Sequence, residues 1–226
     1  MERRELLVAA AAGVAGAALL GSGTAHAKDR KTIRFKNEDF YDGRGQFRED
    51  KAKDALVDLM KYHGYPVFDG IREKLWVSDY GKGHFTEFGL GALMFMNNEQ
   101  DRYMLMDLFL LPHQMLPEHW HLPTEKNPAK LEGWLVRHGE SHIVGIGEDN
   151  LGKDVVIPKC HHGGKTETRH ETLARPGMFV ALAKVESKHW QWAGPEGAIV
   201  TEVANVHDDK GVRHTDPEAN DFFLKG

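Results

Sequence analysis

His119 and His121 stand one residue apart in the segment Leu116-Pro117-Glu118-His119-Trp120-His121. On a β-strand successive side chains alternate faces, so both imidazoles project to one side and can serve a single ion. Two carboxylates compete for a third ligand position. Glu125 follows His121 at short spacing, whereas Glu132 opens a return strand after a turn broken by Pro123 and Pro128. Lys130 has the parity of Glu132 and shares its face. A fourth ligand must come from a later strand, and Lys188-His189-Trp190-Gln191-Trp192 supplies His189. Three imidazoles and one carboxylate suit Mn²⁺, Fe²⁺ or Zn²⁺ and leave coordination positions open to a substrate. Glu202 is an acid–base candidate. It lies on the strand face of Ala198, Val200 and Ala204, where a carboxylate is costly to bury unless a cation such as Lys or Arg137, or a substrate hydroxyl, compensates it.

Strands are needed to place these groups. From Lys74 onward the chain breaks into short runs rich in β-branched, aromatic and Met residues: 74–79, 84–96, 102–111, 131–138, 142–147, 177–183, 189–192 and 197–206. Short strands with no helical period between them predict an all-β antiparallel sandwich or barrel. Met104, Met106, Leu108 and Leu110 form the apolar face of one such strand. Ahead of them, Ala52, Ala55, Leu56, Leu59 and Met60 recur at helical spacing, so one amphipathic helix is expected at about 50–63, stopped by Gly64 and Pro66. Residues 148–172 read as a long loop and 208–226 as a polar tail, with Phe222-Phe223-Leu224 packing back on the body. His161, His162, His207 and His214 read as surface residues without a role.

The composition is that of a globular chain: 226 residues, 41% hydrophobic, 28% charged, with a net charge of −5. Nothing in that balance suggests binding to nucleic acid. The single cysteine, Cys160, cannot form an internal disulfide. The N-terminus has its own pattern: Arg3-Arg4, an apolar run from Leu6 to Leu20, then Ala25-His26-Ala27 as a small-x-small cleavage site. That run is shorter than the roughly 20 residues a spanning helix needs. Residues 1–27 are therefore expected to be a cleaved export signal of twin-arginine type. The mature protein, 28–226, would be a single domain, periplasmic or secreted, with no stable membrane anchor.

The order and spacing of several short motifs resemble the D-lyxose isomerase family of cupins over roughly residues 100–217. They are Pro117-Glu118-His119-x-His121, Lys130-x-Glu132 leading to Arg137-x-Gly139, Pro176-Gly177, and His189-Trp190 followed by Ala193-Gly194-Pro195-Glu196-Gly197-Ala198-Ile199-Val200-Thr201-Glu202. The resemblance implies a jelly-roll β-barrel whose divalent ion, Mn²⁺ first, is held by His119, His121, Glu132 and His189. It thereby favours Glu132 over Glu125, and it implies Lys130 and Glu202 as catalytic groups. The chain differs from the family in carrying Gly133-Trp134 after the Lys-x-Glu element and Trp190-Gln191-Trp192 after the last histidine.

The expected activity is aldose–ketose isomerisation of a free pentose or hexose of the D-lyxose or D-mannose type, through an enediol. Trp120, Trp134 and Trp190 offer stacking faces to a sugar, and Gln191 and Arg137 complete the candidate substrate-binding set. Two other functions suit the same ligands: an exported metal-dependent cupin dioxygenase or lyase, and a non-catalytic secreted sugar-binding cupin. A small-molecule sugar is the expected partner, and a homodimer is compatible with the fold.

Overall fold

The computed structural model describes residues 32–225, so the expected leader at 1–27 lies outside the described residues. Nine strands run in order: β1 (Trp76–Ser78), β2 (Leu90–Asn98), β3 (Tyr103–Leu110), β4 (Met115–His121), β5 (Glu132–Gly145), β6 (His170–Ala174), β7 (Phe179–Ala181), β8 (His189–Ala204) and β9 (Val212–His214). Helices α1 (Glu49–His63) and α2 (Ile71–Lys74) precede them and α3 (Pro217–Lys225) follows. All nine strands join one antiparallel sheet. The predicted all-β class is thus what the chain adopts.

β8 explains why the sheet curls. Its C-terminal half, from Ala198 to Ala204, lies between β3 and the first half of β5. Its N-terminal half, from His189 to Ala193, lies between β4 and the second half of β5. β5 and β8 therefore run through both layers and turn the corner together. Gly139 and Gly197 make the corner: both have left-handed φ, +68° and +76°, and a Cβ on Gly139 would lie 2.0 Å from the Gly197 carbonyl oxygen. The two pairs of short runs expected at 131–138 and 142–147, and at 189–192 and 197–206, are each one long strand bent at glycine. Local turn signals there mark bends within a strand, not its ends.

Inside the barrel, Met104, Met106, Leu108 and Leu110 pack with Val136, Ala198 and Val200. The opposite face of β3 and β8 presents Phe109 and Ile199, which α1 covers with Ala52, Ala55, Leu56, Leu59 and Met60. The helix predicted at 50–63 is present, ending on left-handed Gly64. Leu56 lies directly over Gly91, where any side chain would collide with it.

Two sequence expectations are corrected. The long loop ends in a strand, β6, paired along β5 from Ser141 to Gly145. The polar tail is structured: β9 pairs with β4, and α3 returns Phe223 to the core while leaving Phe222 and Leu224 exposed. Three-residue strands such as β9 are too short to show a period, so pairing with β4 decides their existence. No helix among the described residues is long and apolar enough to cross a membrane.

Candidate metal centre

Strand register builds the centre. His119 on β4 is paired with His189 on β8 on one side and with His214 on β9 on the other. His121 follows on the same face, and Glu132 enters from the start of β5. One ligand atom from each of His119, His121, Glu132 and His189 lies within 4.8 Å of all the others, and all four residues are buried. Glu125 is exposed outside this group, so the carboxylate the structure brings to the histidines is Glu132.

The donors are arranged for a cation. Nδ1 of His119 lies 2.8 Å from the Pro117 carbonyl, and Nδ1 of His189 lies 3.0 Å from the Ser187 carbonyl. A carbonyl can only accept, so each Nδ1 carries the proton and each Nε2 turns a lone pair inward. Nε2 of His121 and of His189 then approach the same Glu132 oxygen, at 3.2 and 3.1 Å. Burial first, then the neighbouring imidazoles His189 and His121, hold His119 well below the usual histidine range, although Glu132 opposes this. Burial likewise pushes His121 down to about 4 against the pull of Glu132. Glu132 Oε1 has no hydrogen-bond partner, nor has Nε2 of His121 or His189, while Glu132 Oε2 faces Lys130 Nζ at 2.9 Å. Several lone pairs converging in a buried site are costly unless a cation compensates them. These residues fit a divalent metal.

Beside the ligands lies a buried carboxylate–ammonium–carboxylate row. Lys130 Nζ is 2.9 Å from Glu132 and in closer contact still with Glu202, and all three side chains are at most 4% exposed. Trp134 Nε1 donates to the other Glu202 oxygen at 3.2 Å, and its ring leans on His189 at 5.1 Å. Burial would raise both carboxyl groups, yet Lys130, His121 and His189 hold Glu132 well below its usual range. Glu202 remains raised, by burial and then by Glu132, in spite of Lys130. Lys130 is itself raised because Glu132 and Glu202 outweigh its burial.

These groups open on a cavity of about 550 Å³. His119, His121, Lys130 and Glu202 form its polar inner end. Leu90, Ala92, Met106 and Leu108 of β2 and β3 form an apolar wall, and the rim carries Lys74 and Lys210 against Glu99, Asp208 and Asp209.

Of the expected substrate-binding residues, Trp134 sits behind Glu202 and His189, 2% exposed, and touches the centre without bordering the cavity. Trp120 faces the other side of β4, beneath Lys188 Nζ at 4.4 Å. Trp190 is fully buried in the core, its Nε1 donating to the Thr168 carbonyl. Gln191 is fully buried and accepts from Ser141 Oγ. Arg137 is exposed and borders neither the cavity nor Glu202, whose cation is Lys130. Strand parity identifies a face, but which face closes over a cavity depends on the bend of the sheet. The tail also supplies cavity residues. His214, expected at the surface, is 6% exposed and borders the cavity with Tyr80 and Phe223, and His207 and Asp209 stand at its rim. The only local signal was the alternation Val212-x-His214. His161, also expected outside, is fully buried.

No protein-family model matches the chain. Among proteins of known activity, it is 32% identical over 168 residues to the D-lyxose ketol-isomerase of Cohnella laeviribosi, covering 74% of this chain and 90% of that one. It is 34% identical over 167 residues to the D-lyxose/D-mannose isomerase of Thermosediminibacter oceani, again over 74% and 90%. Among solved structures, the L-ribose isomerase of Acinetobacter sp. DL28 with L-ribose superposes at a TM-score of 0.60 over 82% of this chain and 97% of that chain, at 13% identity. The L-ribose isomerase of Cellulomonas parahominis with L-psicose gives 0.56 over the same shares, also at 13% identity. The structural likeness carries the cupin-type fold, and the sequence identity carries more: this chain belongs to the D-lyxose ketol-isomerase family.

Proposed function

We propose that the protein is an aldose–ketose isomerase of free sugars, with D-lyxose and D-mannose as its first candidate substrates and Mn²⁺ as its ion. One observation supports this most: the buried Lys130–Glu202 pair stands beside a four-ligand metal cradle at the closed end of a cavity. A bound divalent ion supplies Lewis-acid polarisation of a carbonyl and acidifies the neighbouring hydroxyl and C–H groups. The chain supplies the rest. Glu202 takes the proton from C2 of the open-chain aldose and returns it to C1 while the O2 proton passes to O1, so that the carbonyl moves from C1 to C2 through an enediol with no net gain or loss of atoms. Lys130, the one ammonium among the described residues at the inner end of the cavity, donates to the oxygen on which negative charge develops. Trp134 Nε1 fixes the Glu202 carboxylate through its second oxygen. The apolar wall of β2 and β3 limits water near the enediol. Three carboxylates face two ammonium groups at the rim, which suits a neutral sugar better than a sugar phosphate.

Protein loaded with Mn²⁺ to one ion per chain is incubated with a panel of pentoses and hexoses and analysed by chromatography. Conversion of D-lyxose or D-mannose to its ketose is expected, and a fully loaded protein that interconverts no sugar overturns the reading. The leader pattern supports export as a further part of the proposal. Full-length, unprocessed chain confined to the cytoplasm of its own cells would refute that part.

A further inference from the structure

His214 is a buried imidazole to which the mechanism above gives no task. It is 6% exposed, borders the sugar cavity, and leaves both ring nitrogens without a hydrogen-bond partner. Its position is well determined: β9 pairs it with His119, its backbone N–H donates to Asn220 Oδ1 of α3, and its ring packs against Tyr80 at 5.1 Å and Phe223 at 5.5 Å. It meets the ligand His119 only at 5.8 Å between ring centres and is not one of the four converging ligands. The fold has thus placed a polar ring among aromatic neighbours at the wall of a cavity. Leaving two buried polar atoms unpaired is costly. A group of matching chemistry inside the cavity would remove that cost.

Register also determines which side of the centre it serves. His119 lies between His189 on β8 and His214 on β9, whereas Lys130 and Glu202 belong to the β5 and β8 side. A sugar reaching the ligands with its reacting carbons toward Glu202 leaves other hydroxyls on the β9 side. A neutral imidazole has one N–H and one lone pair, and a hydroxyl can both accept and donate.

We propose that His214 is a substrate-positioning residue that hydrogen-bonds one non-reacting hydroxyl of the sugar on the β9 side of the metal centre. This rests on the cavity being a sugar site. It assigns a specificity role to the C-terminal segment β9–α3, which carries no metal ligand and no acid–base group.

The test compares wild type, His214→Leu and His214→Gln as full-length, Mn²⁺-loaded proteins. Calorimetry with linear pentitols, which cannot isomerise, reads binding, and steady-state kinetics reads KM and kcat separately. In H214L the pentitol Kd and the sugar KM should rise about 10- to 100-fold, as for loss of a buried hydrogen-bond partner. The kcat should change little, metal content and Tm should hold, and H214Q should recover most of the affinity. In a series of monodeoxy pentoses, one deoxy position should weaken binding to wild type and not weaken it further in H214L. Wild type that binds no pentitol overturns the proposal. So does H214L with unchanged Kd, or equal loss of affinity in H214L and H214Q with falling metal content or Tm, which would mark a purely structural residue. Wild type that binds pentitols in a His214-dependent way yet converts no sugar refutes the isomerase reading and leaves this assignment standing.

Discussion

At the scale of single residues, the centre is a problem of too many acceptors. Two Nδ1 protons are committed to the Pro117 and Ser187 carbonyls, which leaves lone pairs and a carboxylate facing inward. The types and spacing of His119, His121 and Glu202 were legible in the sequence because strand alternation is local. Spacing alone left Glu125 open beside Glu132 and only the family's motif order favoured Glu132; packing shows that Glu132 is the buried one. Glu202→Gln preserves size and keeps an oxygen for Lys130, but removes the proton acceptor. The kcat for sugar conversion should fall about 10²- to 10⁴-fold with metal content unchanged. A turnover number within a factor of two of wild type, measured by discontinuous chromatography, would exclude Glu202 as the base.

At the scale of elements, two bent strands and one buried carboxylate hold the layers in place. β5 and β8 must cross from one layer to the other at Gly139 and Gly197, where backbones touch. Gly139→Ala would combine a left-handed φ with a Cβ 2.0 Å from the Gly197 carbonyl oxygen. A cost of about 3 kcal/mol or more is expected, read as a lower midpoint in urea; a variant as stable as wild type would show that the corner is not constrained. Glu118 has a comparable role on the outer face of β4. Buried completely, it accepts from the backbone N–H groups of Glu167 and Thr168 and from Thr168 Oγ1, and so fastens the segment leading into β6. That role was hidden in the sequence, since Glu118 neighbours a metal ligand yet points away from it. Glu118→Ala should lower stability by about 3 kcal/mol without changing the ligands, seen as a fall in Tm at constant metal occupancy.

At the scale of the whole molecule, the ion and the proton both couple to folding. A metal that binds only the folded chain contributes about 4 kcal/mol when present at a thousand times its Kd. Chelation should therefore lower Tm by several degrees and added Mn²⁺ should restore it; identical melting curves for stripped and loaded protein would show that the centre contributes nothing to folding. Acid acts through His161, fully buried and stacked on Phe88. Burial pushes its pKa down to about 4, against the pull of Asp216 and Glu118. Between pH 6.5 and 4 the unfolded chain therefore binds the extra proton. Stability is fully present above pH 6.5 and declines by about 3 kcal/mol as pH falls toward 4. His161→Phe should remove that part of the acid dependence of urea unfolding, and an unchanged pH profile would assign the loss to other groups.

The sequence by itself determined what depends on neighbours along the chain: the all-β class, helix α1 with its buried face, the parity that puts His119 with His121 and Lys130 with Glu132, and the motif order that marks the family. Tertiary structure decided what depends on which surfaces meet. It joined four expected strands into β5 and β8, turned the apparent tail into β9 and α3, placed His214 at the cavity, and put Trp120, Trp190, Gln191 and Arg137 elsewhere. The physical reason is that a strand's period tells which residues share a face, while enclosure of that face is set by long-range pairing and by bends at two glycines whose backbones touch.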